Sequence, residues 1–300
     1  MGRRPRKQAV LIAGPTASGK SALALETARR TGAAIINADA MQVYDVLRVV
    51  TARPSPEEMR EVPHRLYGTV PPGVRFSTGD WLRAVAAILD TADLAGRPLL
   101  FVGGTGLYFH ALLKGFADVP AVPAAITQRV EAQVAGLDRA GRERLLAERD
   151  PAMAARLQAH DPQRVVRALA VLEATGRSLA AFQDEARPAL LAGFEIERLV
   201  LNPERSVLRE RIARRFAAMF ESGAVEEVEA LLALDLDPCL PAMKAIGVRE
   251  IADWLAGRAT QEEAIERAVT ATRQYAKRQR TWMRNRMGDW TWIDPLTPAR

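Results

Sequence analysis

Cysteine occurs once in 300 residues, at Cys239, which rules out an internal disulfide and a cysteine-based zinc site. Histidine is almost as scarce. His64, His110 and His160 stand far apart without ligand-like neighbours, so no structural zinc is expected. There is no run of eighteen apolar residues, so no membrane-spanning helix is predicted. The basic start Arg3-Arg4-Pro5-Arg6-Lys7 leads straight into a strand-like segment, without the apolar region or cleavage site of a signal peptide, and a cytoplasmic location is expected. Internal repeats and low-complexity tracts are also missing. What remains is a chain with 48% hydrophobic residues, enough to bury a core in one large domain or two unequal ones. Its formal net charge of +6 suits a polyanionic partner, and equally an arginine-rich protein without one.

Among the features present, one stretch organises the rest. The apolar run Ala9 to Ala13 feeds into Gly14-Pro15-Thr16-Ala17-Ser18-Gly19-Lys20-Ser21, the spacing of a phosphate-binding loop. Its glycines let backbone N–H groups close around phosphate oxygens, Lys20 supplies a point charge, and Ser21 can offer its hydroxyl to Mg²⁺. A helix starting near Lys20 adds its N-terminal dipole. The loop recognises a diphosphate, and whether an adenosine is attached stays open on these residues alone.

Ile35 to Asp39 predicts a second buried strand ending in an acid. Ala40 to Gly73, with Arg53-Pro54-Ser55-Pro56, Pro63 and Pro71-Pro72, reads as loop with short strand-like pieces such as Arg65 to Val70. Ser77 to Ala95 carries a helical pattern with Trp81, Leu82, Val85, Ile88 and Leu89 inward. Pro98 to Val102 is another strand, ending in Gly103-Gly104-Thr105-Gly106. This alternation describes an α/β fold, a parallel sheet with its site along the strands' C-terminal edge. From Phe116 to Gly193 the pattern is helical, over 124–136, 138–148, 150–159 and 161–175. In the last segment Asp161 serves as N-cap, Pro162 opens the helix and Gly176 follows its end. Phe194 to Leu201 is a strand candidate, Asn202-Pro203 opens a helix, and the final third reads as helical up to a Trp-rich tail. The expected domains are a core of residues 1–115 and 194–300 and a helical insertion at 116–193.

Asp39 could take a proton from an acceptor or hold it by hydrogen bonding, or could simply cap a turn. Thr105 lies among glycines that permit close backbone approach, in a turn that could equally be packing. Pro98 to Val102 ends in glycine where an NTPase places a metal-binding acid, which counts against an ATPase. Gln163, Arg164 and Arg167 sit together near the start of one helix, where two arginines at three-residue spacing can grip phosphates or form a solvated face. Arg273, Lys277, Arg280 and Arg284 recur at i, i+4, i+7 and i+11, one stripe with Tyr275, Trp282 and Trp290 interspersed. Like charges on one helix face repel by a few tenths of a kcal/mol, about 0.2–0.5 per pair, so the stripe favours a nucleic-acid partner.

These motifs, with Asn37-Ala38-Asp39-Ala40-Met41-Gln42, Gly103 to Tyr108, Asp161 to Leu169, Ala242 to Gly247 and Thr272 to Trp282, occur in the order seen in tRNA dimethylallyltransferases. The chain resembles that family over nearly its whole length. The resemblance implies a P-loop kinase-like sheet core with an inserted, mainly helical domain. It also implies transfer of a dimethylallyl group from dimethylallyl diphosphate to N6 of adenosine 37, in tRNAs reading codons that start with U. ATP is then not needed. Gly14, Thr16, Ala17, Ser18, Gly19, Lys20, Ser21 and Arg215 would hold the diphosphate, with Ser21 on Mg²⁺. Asp39 would be general base, and Lys20, Thr105 and Arg215 would complete the catalytic set. Asp39, Ala40, Met41, Gln42, Thr105, Gln163, Arg164, Arg167, Arg273, Lys277 and Arg280 map onto tRNA-contacting positions, with the insertion on the anticodon stem-loop. The adenine would have to be extruded from its stack. No DDxxD acid cluster is present, so the phosphate loop must hold the prenyl donor. Ala40, Arg53 and Arg65 depart from the family's usual Ser, Lys and His. A monomer with no membrane partner is expected. The alternatives are an ATP-dependent small-molecule or nucleoside kinase and a non-catalytic RNA-binding protein.

Overall fold

Strands β1 (Gln8–Ala13), β2 (Ala34–Asn37), β3 (His64–Arg65), β4 (Leu99–Gly103), β5 (Glu195–Leu201) and β6 (Thr291–Ile293) form one sheet in the order β3-β2-β4-β1-β5-β6. Every pairing is parallel. The computed structural model describes residues 7–159, 161–185 and 188–295; Arg3 to Arg6 and His160 lie outside the described residues. A parallel sheet is covered on both faces, which is why β2 and β4 are buried at every position rather than alternating. Phe101 in β4 is wholly buried, a burial that contributes about 1.5–3 kcal/mol.

Register decides where the loops fall. Ala13 lies opposite Gly103 on one side and Val200 on the other, and Asn37 lies opposite Val102. The phosphate loop after β1, the glycine loop after β4 and the Asp39 loop after β2 therefore leave the sheet at one edge.

The connecting helices are α1 (Lys20–Thr31), α2 (Pro56–Glu61), α3 (Thr78–Leu89) and α4 (Gly106–Lys114). The expected strand over Ile35 to Asp39 ends two residues early, because Asn37 turns the chain. Its Nδ2 donates to the carbonyls of Asp39 and Leu66 at 2.9 and 3.0 Å, and its Oδ1 accepts from Asp39 N–H at 2.9 Å. The proline-rich stretch expected as loop contains α2. Ser55 and Glu58 form a capping box and Pro56 occupies the first turn, where a missing N–H costs nothing. Arg65 to Val70 is not a strand: β3 stops at Arg65, and Val70 makes one isolated bridge to Tyr44. The expected helix to Ala95 ends at Leu89.

The chain divides into two compact units, Met1–His110 with Leu191–Arg300, and Ala111–Leu190. The second holds α5 (Ala124–Val134), α6 (Arg139–Arg149), α7 (Pro151–Ala154), α8 (Pro162–Thr175) and α9 (Leu179–Asp184) around a core that includes Val130, Leu146, Val165 and Leu169. Only the first turn of the expected 150–159 helix forms. Helix α8 is capped as its sequence predicts: Asp161 accepts from Gln163 N–H at 2.9 Å, and Gly176 takes φ +69°.

The first unit is completed by α10 (Arg205–Glu221), α11 (Ala224–Leu232), α12 (Val248–Leu255) and α13 (Gln261–Arg286), with a short 3₁₀ turn at Ala242–Lys244. The Trp-rich tail returns to the sheet. Thr291–Ile293 is β6, paired with β5, and Trp290 is buried edge-on to Phe109 at 5.6 Å. Among the described residues no helix is long and apolar enough to cross a membrane.

Candidate active site

The phosphate loop is held open by two left-handed residues, Ala17 at φ +63° and Gly19 at φ +94°. A non-glycine in that region is strained and persists only where its surroundings demand it. Helix α1 begins at Lys20 with no side-chain cap and no acid in its first turn. Its leading N–H groups and positive dipole end are left for an anion. Lys20 Nζ lies 3.4 Å from the Pro15 carbonyl. Burial lowers its ammonium to about 8, the Asp39 carboxylate opposing and Arg215 adding to the fall. Arg215, from α10, donates through Nη2 to Thr16 Oγ1 at 2.5 Å. Burial pushes this guanidinium down as well, and its Nε is enclosed without a partner. Two cations thus converge on the loop with little counter-charge, an arrangement a diphosphate would relieve.

Asp39 is placed by its own loop: Oδ1 accepts from Met41 N–H at 3.0 Å. Thr105 braces that loop from the other side, accepting from Ala40 N–H at 2.9 Å and donating its N–H to the Ala38 carbonyl at 3.2 Å. A cavity of about 300 Å³ opens beside Asp39, lined also by Thr16, Arg215, Lys244, Tyr275 and Arg278, with Met41, Val50, Phe216 and Ile246 as apolar wall. Three cations, Arg215, Lys244 and Arg278, a carboxylate and an apolar surface therefore share one chamber. Thr105 does not line it. Neither is Gln42 open to a ligand through its amide donors, which both go to the Thr51 and Ala52 carbonyls at 2.9 Å.

The glycines of the Gly103-Gly104-Thr105-Gly106 loop answer to close packing. A Cβ on Gly103 would collide with the Ala38 carbonyl, one on Gly104 with the Gln279 amide, and one on Gly106 with the Trp282 ring. Ser21 is exposed in the first turn of α1, and its hydroxyl meets no partner among the described residues. No group of three or more His, Cys, Asp or Glu residues that could hold a metal occurs among them. Such a donor set fits Mg²⁺ only in the way that ion favours, through substrate phosphates and water with one protein oxygen.

Arg273, Lys277, Arg280 and Arg284 line a groove of about 550 Å³ whose other wall is α10, with Arg205 and Arg209. None of the six forms an ion pair among the described residues. Burial, then Arg284 and Arg205, lower the Arg280 guanidinium. In the second unit Gln163, Arg164 and Arg167 are exposed on α8, Arg164 lying 3.6 Å from Asp161.

Sequence reasoning passed over Gln279, Lys244, Arg278, Arg205 and Arg209. Gln279 had a legible signal: it is the one amide in the buried stripe Thr272, Ala276, Gln279, Met283 of α13. The α10 arginines had none, because only the packing of α10 on α13 makes them neighbours of the basic stripe.

The IPP transferase family profile matches residues 42–286, and the isopentenyl transferase profile matches residues 7–70. A tRNA dimethylallyltransferase of Agrobacterium fabrum is 55% identical over 288 residues, covering 96% of this chain and 97% of that protein. The chain belongs to the IPP transferase family. Another tRNA dimethylallyltransferase, of Allorhizobium ampelinum, is 53% identical over 96% of this chain and 95% of its own. Two solved structures share the fold of this IPP transferase family member. The tRNA isopentenylpyrophosphate transferase of Bacillus halodurans aligns with a TM-score of 0.65 at 33% identity, over 96% of this chain and 90% of that one. A eukaryotic dimethylallyltransferase acting on tRNA aligns at 0.79 with 27% identity, over 96% and 74%. The isopentenyl transferase match contains the phosphate loop and Asp39; the IPP transferase match contains Thr105, α8, Arg215 and α13. None of these families or relatives is a kinase, and the kinase alternative has no support.

Proposed function

We propose that this protein transfers the dimethylallyl group of dimethylallyl diphosphate to N6 of adenosine 37 in tRNA. The observation that carries the reading is the chamber in which Arg215, held on Thr16 of the phosphate loop, and the Asp39 carboxylate share an apolar wall, with Lys20 electrostatically coupled to both, in a chain of this family. Thr16, Ala17, Ser18, Gly19 and Lys20 offer the loop on which the diphosphate rests, and Gly14 turns the chain into it. Cleavage of the allylic C–O bond leaves its electron pair on pyrophosphate, so Lys20, Arg215 and the α1 N-terminus act where charge develops. The allylic carbon bonds to N6, and Asp39 takes the N6 proton. Met41, Val50, Phe216 and Ile246 give the five-carbon chain an apolar surface and exclude water from the developing cation. Ser21 would hold Mg²⁺, which supplies further charge neutralisation for the leaving pyrophosphate.

Thr105 acts by holding the Ala38–Ala40 backbone. Ala40, Met41 and Gln42 would present that loop to the tRNA base, Ala40 without the hydroxyl that serine would bring. Gln163, Arg164 and Arg167 would meet the anticodon stem-loop, and Arg273, Lys277 and Arg280, with Arg205 and Arg209 facing them, its phosphodiester backbone. The test is a transfer assay with dimethylallyl diphosphate, Mg²⁺ and an anticodon stem-loop, with and without ATP. Prenylated adenosine forms without ATP; strict dependence on ATP with phosphate transfer would overturn the reading.

A further inference from the structure

Gln279 is 6% exposed, and its amide is used at both ends. Oε1 accepts from the Thr16 N–H of the phosphate loop at 2.9 Å, and Nε2 donates to the Gly104 carbonyl at 3.0 Å. No side chain fits on Gly104 because this amide fills the space, and the same absent Cβ would stand 3.3 Å from Asp39 Oδ2. The contacts continue in both directions. Thr16 receives Arg215 through its hydroxyl, while Thr105, next after Gly104, holds the Ala38 and Ala40 backbone on either side of Asp39. One amide therefore joins the loop that would hold the leaving group to the loops that hold the proposed base. Without it, Thr16 N–H and Gly104 C=O would face each other's loops with no shared partner, a cost for any buried polar group.

We propose that Gln279 is a positioning residue that sets the phosphate loop against the Asp39 loop, and so fixes leaving group and base at the separation the transfer needs. The inference rests on the dimethylallyl-transfer reading. Its site is α13, whose exposed face carries Lys277 and Arg280, so the helix offered to RNA is the one that ties the two catalytic loops together. The Asp39 carboxylate favours the protonated form of Lys20, Arg215, Tyr67, Tyr108 and Tyr275 around it. Tyr275 also feels Gln279: burial and Asp39 raise its phenol, and Arg278 and the Gln279 amide oppose.

Two variants separate positioning from mere packing. Gln279→Leu removes both hydrogen bonds at similar volume, and Gln279→Glu keeps the acceptor for Thr16 N–H while losing the donor to Gly104 and adding a carboxylate near Asp39. For Gln279→Leu, affinity for inorganic pyrophosphate and kcat each fall about tenfold or more, as the Thr16 N–H and the Gly104 carbonyl both lose their partner, while the Kd for the anticodon stem-loop is unchanged. For Gln279→Glu, kcat falls as the donor to Gly104 is lost, with the Kd for the anticodon stem-loop again unchanged. A folded Gln279→Leu with wild-type pyrophosphate affinity and kcat overturns the proposal. So does a wild-type kcat in Gln279→Glu, or equal weakening of pyrophosphate and RNA with a lowered Tm. If the wild-type enzyme transfers no dimethylallyl group, the functional reading falls while the pyrophosphate titration still judges Gln279.

Discussion

The molecule gathers its cations in two contrasting ways, at the phosphate loop and along the groove of α10 and α13. At the phosphate loop the cations are few and crowded: Lys20 and Arg215 are desolvated, Arg215 is anchored on Thr16, and backbone geometry supplies the rest. In the groove between α10 and α13 the six cations are mostly exposed, and none has an ion pair among the described residues. A compact dianion is best met by preorganised donors that need not move, since reorganisation would subtract from the stabilisation of the leaving group. A phosphodiester strand is long, and a row of long side chains can follow it by releasing counterions without fixing any single contact. The α8 cluster is a third case, because Arg164 already has Asp161 within 3.6 Å and would meet RNA only by sharing or giving up that partner.

The largest expected effect falls on the phosphate-loop side. Asp39→Ala lowers kcat by about 10²–10⁴, the range for a general base, with RNA affinity unchanged in a filter-binding assay; unaltered turnover would remove Asp39 from that role. Lys20 comes next. Its ammonium titrates near 8 in the folded chain, against 10.5 as its ordinary value, so the unfolded chain binds more protons between those limits. Stability therefore rises with pH across that window, and Lys20→Met abolishes this gain while raising Tm below pH 8. Pyrophosphate restores the proton: calorimetry at pH 8.5 in buffers of different ionisation enthalpy reads proton uptake on binding, and at pH 6.5 reads none from this group.

On the groove side the effects are smaller and salt-dependent. Arg205→Ala with Arg209→Ala reduces the slope of log K against log salt for the stem-loop by about 1.4–1.8, leaving pyrophosphate affinity unchanged. A wild-type slope would leave α13 as the only wall that RNA meets. Arg164→Ala with Arg167→Ala moves the slope by about 1 or less, because one of the two charges is already partnered. A larger change would place α8 with the groove rather than between the two classes.

Much of this could be read directly from residue order. Spacing alone identifies Gly14 to Ser21 as a phosphate loop, since the geometry it requires is local and few residue types can adopt it. The cap of α8 was legible for the same reason. Asp39 lies two residues beyond the end of β2, although its sequence predicts it as the strand's last residue, because a buried asparagine that breaks a strand looks, in a one-dimensional pattern, like one more residue of it. Helix α2 was lost among prolines although Ser55 and Glu58 announced it. Strand β6 is three residues long and exists only by pairing with β5, so no periodicity could reveal it.

Sequence by itself determined the glycine-rich loop proposed to meet phosphate, the alternation that makes a parallel sheet, and the basic stripe of α13, each a matter of neighbours along the chain. Only the tertiary structure decided that Thr16, Gly104 and Gln279 share one amide. It alone set Arg205 and Arg209 across a groove from Arg273 and Lys277, and left Thr105 as a brace outside the chamber. The physical reason is common to all three. Hydrogen-bond geometry and charge proximity depend on distance in space, and residues 16, 104 and 279 are brought within bonding range only when the sheet register and the packing of α13 are in place.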